Sequence, residues 1–126
     1  MKILLAEKSK NLVSALMLAL SQIKDNEVKE IGLILSVDKF DNLYKELKKE
    51  NPDVLIINED FVEHKTRETV PILQALYPYM TILILSKNPM LEKKYLEIGI
   101  KNFIIKGDSA KDFYNSLVSF LKMAQK

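Results

Sequence analysis

Short apolar runs recur five times along the chain, separated by longer stretches whose apolar residues return every three or four positions. The runs are Ile3–Ala6, Ile31–Val37, Val54–Ile57, Thr81–Leu85 and Phe103–Ile105. They are near-continuous in Ile, Leu and Val instead of alternating with polar residues. Strands buried on both faces read this way, as in a parallel sheet covered by helices on either side.

The intervening stretches predict five helices. Ser9 is placed to cap a first helix carrying Leu12, Val13, Leu16, Met17 and Leu20 on one stripe. Asp38 is placed to cap a second, with Phe40, Leu43, Tyr44 and Leu47 buried, and this helix must stop before Asn51-Pro52. A third is expected within Thr66–Leu76, where Pro71 falls in the first turn or kinks it. The fourth should run from about Pro89 to Gly99, a first-turn proline and an αL terminator. The fifth should start after Asp108-Ser109 and bury Phe113, Leu117, Phe120 and Leu121. Strand and helix thus alternate five times with short connections. Right-handed crossovers then give a doubly wound parallel α/β sheet whose site lies at the carboxyl ends of its strands.

With 126 residues, one domain over residues 1–126 is expected, and whether an output domain follows Lys126 stays open. Composition narrows the chemistry. The chain has no cysteine, which excludes disulfides and thiolate metal sites. Its net charge is +2, with Arg67 the sole arginine. Scattered lysines without arginine forks mark a solvated surface, so direct nucleic-acid binding is not expected of this domain. The N-terminal apolar run is too short for a signal peptide, and no stretch approaches the ~18 apolar residues of a membrane span. A cytoplasmic location without membrane attachment is the expectation.

Four segments together resemble the receiver domains of bacterial response regulators. Lys2–Ala6 with Glu7-Lys8 resembles the first receiver strand and its acidic pair. Pro52–Asn58 resembles the third strand, with Asn58 at the phosphoacceptor position. Thr81–Ser86 resembles the fourth strand and its terminal hydroxyl. Gly99–Lys106 resembles the fifth, with Phe103 as switch aromatic and Lys106 as the strand-ending lysine. The distance from Asn58 to Ser86 fits the family, whereas Ser86 to Lys106 is about two residues short. The resemblance covers essentially the whole chain. It implies the flavodoxin-like (βα)5 fold with strand order 2-1-3-4-5, and a signalling role in a two-component system.

It also implies what is missing. Phosphoryl transfer to a receiver needs an attacking carboxylate, a divalent cation, and groups that hold the phosphoryl oxygens. An amide at position 58 is a poor nucleophile with no anionic form. Of the acidic pair only Glu7 remains, beside Lys8, whose ammonium would repel a dication. Neither a catalytic residue nor a metal or other cofactor is therefore expected, and the remnant pocket is Glu7, Lys8, Asn58, Ser86 and Lys106. Glu7 is expected to pair with Lys8 or Lys106, and Lys8 to lie in the pocket or in solvent. A cis peptide before Gly107 has no evident support, so a trans bond and a glycine turn are expected there.

The resulting expectation is a degenerate receiver, not an enzyme, acting by phosphorylation-independent protein–protein interaction. The resemblance places its partner surface on the fourth helix, fifth strand and fifth helix, contributed by Lys93, Tyr95, Phe103, Lys111 and Tyr114. The partner is a signalling protein or a second copy of the chain. Two alternatives stand beside it. The basic pocket could hold a small anion or phosphorylated metabolite, or Glu59 or Asp60 could replace Asn58 as acceptor. His64, in the polar loop Glu59–Arg67, is expected to be solvated.

Overall fold

The computed structural model describes residues 1–23, 28, 31–62, 65–107 and 109–124. Strands and helices alternate as β1 (Lys2–Ala6), α1 (Lys10–Ser21), β2 (Leu33–Val37), α2 (Phe40–Glu50), β3 (Val54–Asn58), α3 (Thr66–Leu76), β4 (Thr81–Ser86), α4 (Leu91–Glu97), β5 (Phe103–Ile105) and α5 (Ala110–Ala124). The strands form one sheet in the order β2-β1-β3-β4-β5, and every neighbouring pair is parallel. This is the doubly wound topology that the alternation predicts.

Side chains of a strand alternate between faces, so each strand feeds two cores. Leu4, Leu55, Ile57, Ile82 and Ile84 pack with Leu43, Leu47, Val70, Leu73 and Tyr95 from α2, α3 and α4. Ile3, Leu5, Ile56, Leu83 and Leu85 pack with Leu16, Leu20, Leu117, Phe120 and Leu121 from α1 and α5. The central strands β1, β3 and β4 are buried almost throughout.

β2 departs from the doubly buried expectation. It starts at Leu33, not Ile31, and Leu33 and Ser36 are exposed. An edge strand has one neighbour and incomplete helical cover, which an apolar run alone does not reveal.

Local signals explain several helix ends. The Ser9 hydroxyl accepts the Leu12 N–H at 3.2 Å, and that of Ser109 accepts the Asp112 N–H at 3.1 Å. Asp38, however, does not cap α2. Lys39 occupies that place in extended geometry without a side-chain bond. Pro71 lies inside α3, beyond its first turn, where it removes one backbone donor. α4 starts later than Pro89 because Asn88 organises the turn before it: its Oδ1 accepts the Met90 N–H at 3.0 Å. Gly99 ends the region at φ +86°, as the αL reading requires. Among the described residues no helix is long and apolar enough to cross a membrane.

Candidate functional site

The carboxyl ends of the strands meet where Ala6 stands opposite Ile57 and Asn58 opposite Leu85. One residue beyond that register, Glu7 lies beside Asn58. By the two-residue period both point to the α1 and α5 side of the sheet. Each is 4% exposed. The Asn58 Nδ2 donates to Glu7 Oε1 at 2.6 Å, and the Lys8 backbone N–H donates to Glu7 Oε2 at 2.9 Å. Asn58 Oδ1 accepts the Asp60 N–H at 3.3 Å. The amide orientation follows from chemistry, since reversing it would press two oxygens together.

Glu7 therefore satisfies itself by hydrogen bonds and forms no ion pair with Lys8 or Lys106. The expected pairing is corrected for a geometric reason: Asn58 is its neighbour across the β1–β3 ladder, whereas both lysines lie farther out along the chain. Lys8 is exposed and Lys106 half-buried.

Glu7 and Asn58 form the floor of an open cleft of about 750 Å³. Lys8, Lys87, Lys106 and Asp60 line it, with Leu12 and Ala15 of α1 as an apolar wall. No motif points to Lys87, and Asp60 enters the sequence reading only as a substitute acceptor. Lys87 is two residues beyond Leu85, and Asp60 is two beyond Asn58.

Ser86 falls on the opposite parity and does not line the cleft. It is 2% exposed, and its hydroxyl accepts the Asn88 N–H at 3.0 Å. Lys106 is held by its own N–H, which donates to the Ser86 carbonyl at 2.7 Å. Among the described residues no peptide bond is cis, and Gly107 turns at φ +106°.

The divalent cation that a receiver pocket implies does not fit this donor set. Both Glu7 oxygens are engaged, Asn58 is an amide with no anionic oxygen, and Lys8, Lys87 and Lys106 line the same cleft. Millimolar Mg²⁺ is expected to leave the melting temperature unmoved, because a ligand stabilises only through affinity for the folded state. A rise with MgCl₂ that NaCl of equal ionic strength does not reproduce would contradict this.

Glu59, one residue past Asn58, turns to the other face. Its Oε2 accepts the Tyr95 hydroxyl of α4. The Tyr95 ring is wholly buried and lies 5.9 Å from the half-buried Phe103 ring, centroid to centroid. Tyr95 is thus an internal anchor, which corrects its expected place on a partner surface. In a helix this short, the residue four places after Leu91 has to face the core.

Burial pushes the Glu59 carboxyl above its ordinary range, Arg67 pulls it down, and Asp60 adds to the rise. A raised folded-state value means that stability falls as pH rises through it. Relative to Glu59→Gln, which keeps an acceptor for Tyr95, the parent should lose stability from acid to neutral pH. Parallel melting curves of both proteins across that range check this, and parallel pH profiles would overturn it.

The remaining expected surface residues separate. Lys93 is exposed on α4. Lys111 and Tyr114 instead line a groove between α1 and α5, where the Tyr114 hydroxyl donates to the Gln22 carbonyl at 3.5 Å. The α5 residues that share a groove with Phe103 and β5 are Asn115, Ser116, Ser119 and Phe120, with Glu92 of α4 and Lys101 also lining it. The Glu59–Arg67 loop is less polar than its composition suggests, since Phe61 and Val62 are buried. His64 lies outside the described residues.

No family model matches the sequence, and no curated protein matches it. Solved structures do. The isolated receiver domain of RcsB from Salmonella enterica serovar Typhimurium aligns with 98% of this chain and 89% of its own, at TM-score 0.80 and 18% identity. The signal receiver domain of a DNA-binding response regulator from Colwellia psychrerythraea aligns with 96% of this chain and 98% of its own, at TM-score 0.76 and 11% identity. A pilus assembly-related protein from Burkholderia pseudomallei aligns over 98% and 88%, at TM-score 0.75 and 14% identity. In RcsB bound to promoter DNA, this chain spans only 60% of the protein. The fold is that of response-regulator receiver domains.

Proposed function

We propose that this chain is a cytoplasmic receiver-like signalling module that works by binding a protein partner and not by accepting a phosphoryl group. Support for a signalling role comes from the receiver fold and from the regulators that share it. One observation carries the departure from them. The side chain at the end of β3 is the amide of Asn58, already hydrogen-bonded to Glu7. Covalent capture of phosphorus needs an anionic oxygen there, and a carboxamide supplies none. Lys106 and Lys87 remain as cations without a nucleophile between them.

The neighbouring acids are poor substitutes. Glu59 faces Tyr95 on the far side of the sheet, and Asp60 stands on the exposed rim of the cleft. The partner surface is the groove over β5, with Phe103 at its base and Lys101, Glu92, Asn115 and Ser116 around it. A signalling protein or a second copy of the chain would dock there.

Incubation with acetyl phosphate and Mg²⁺, followed by intact-mass measurement, tests the chemical half. The expected result is an unchanged mass. A phosphoryl adduct mapped to Asp60 or Glu59 would replace this reading with that of an unconventional acceptor.

A further inference from the structure

We infer that the cleft above Asn58 is a reversible binding site for a small organic phosphate monoester, held by charge and hydrogen bonds without a covalent step. The inference stands whether or not the module has a protein partner.

The first observation is an unfinished hydrogen-bond set. Asn58 Nδ2 carries two hydrogens, and Glu7 Oε1 accepts one of them. No acceptor is found for the second among the described residues, although Asn58 is 96% buried and lines the cleft (4% exposed). Glu7 fixes which end of the amide carries the nitrogen. An anion entering the cleft therefore meets a donor whose orientation Glu7 has already set.

Charge is the second observation. Lys8, Lys87 and Lys106 reach the same cleft from the ends of β1, β4 and β5, and none of the three forms an ion pair with a described residue. Against them stand Glu7, whose oxygens are both engaged, and Asp60 on the rim. Three ammonium groups and one amide N–H suit the three terminal oxygens of a phosphate monoester, a dianion near neutral pH.

The third observation is shape. About 750 Å³ is far more than one tetrahedral anion fills, and Leu12 and Ala15 give the wall an apolar strip. A phosphate with an organic body matches both features. Chloride or inorganic phosphate uses only the charge.

Calorimetric titration of the full chain tests the site, with adenosine monophosphate and glucose 6-phosphate as probes. Inorganic phosphate and adenosine are titrated separately, at ionic strength held constant with NaCl. The expected result is saturable binding of at least one ester, with inorganic phosphate at least about tenfold weaker and adenosine silent. Lys87→Met and Lys106→Met should each weaken ester binding about tenfold, as expected for loss of one charge-assisted contact. Both side chains are at least partly in solvent, and circular dichroism would establish that the variants fold. Absence of saturable binding by either ester would overturn the inference. So would equal binding by the Lys87→Met/Lys106→Met double variant, or binding of adenosine as tight as that of its monophosphate.

Discussion

Asn58→Asp is expected to destabilise this protein by about 2–4 kcal/mol at pH 7 in the absence of divalent cations. The substitution is nearly isosteric, so packing hardly changes. What changes is the 2.6 Å contact with Glu7, where an N–H donor becomes a carboxylate oxygen facing another one. Two buried carboxylates at that separation cannot both ionise freely, and the pair takes up a proton with a raised pKa.

The sign of the pH dependence follows. In the folded variant the pair holds a proton that the unfolded chain releases, so its stability falls as pH rises through the raised value. The penalty disappears below the ordinary carboxylate range. At this chain length the neutral-pH loss corresponds to a melting temperature lower by roughly 10–20 °C. Mg²⁺, expected to leave the parent unmoved, should partly restore the variant, because two facing carboxylates are the hard oxygen donors it needs. Melting curves at pH 4.5 and pH 7.5, with and without MgCl₂, read all of this. A variant as stable as the parent at pH 7.5 without Mg²⁺ would mean that Glu7 and Asn58 are not in contact.

Tyr95→Ala is expected to cost a similar amount, about 3–5 kcal/mol, through a different mechanism. Tyr95 is the buried side chain of a helix only seven residues long. So short a helix has little stability of its own and is held by what it packs against. Removing the ring leaves a cavity beside Phe103, takes away the donor to Glu59 and releases α4 from the sheet. Amide exchange across α4 should accelerate well beyond that of α5. Tyr95→Phe keeps the ring and loses only the hydroxyl, so about 1 kcal/mol is expected. Equal losses for the two substitutions would show that the hydroxyl, not the ring, anchors the helix.

Much of this architecture is legible in the sequence because strand burial and helix capping are local signals. Ser9 caps where its side chain predicts, Gly99 turns where only a residue tolerant of positive φ is comfortable, and Leu117, Phe120 and Leu121 form the stripe that their spacing shows. Facing directions are harder. Lys111 and Tyr114 share α5 with Ser116, yet the helix turns them toward α1 and Ser116 toward β5. Their angular position depends on the docking of α5, which no local pattern encodes. The exposure of β2 is not written in its apolar run, and only the strand order 2-1-3-4-5 implied by the resemblance puts it at the edge. Lys87 and Asp60 line the cleft from just beyond the ends of β4 and β3, and Asp60 is legible from its place beside Asn58. Glu7 illustrates the opposite error. Formal charge favours a lysine partner, but the residue across the ladder is closer.

The bond between Asn58 and Glu7 joins residues 51 positions apart, and β1 pairs only with β2 and β3. Such a chain has no hairpin to nucleate it. During synthesis the first strand waits with both edges open until the second and third emerge, and closing each connection costs loop entropy before any contact offsets it. Refolding slower than that of a helical bundle of equal size follows. The cleft floor, made from the innermost of those late pairings, is complete only once β3 has docked. Any fragment ending before Asn58 would leave the apolar β1 exposed to its neighbours on the ribosome.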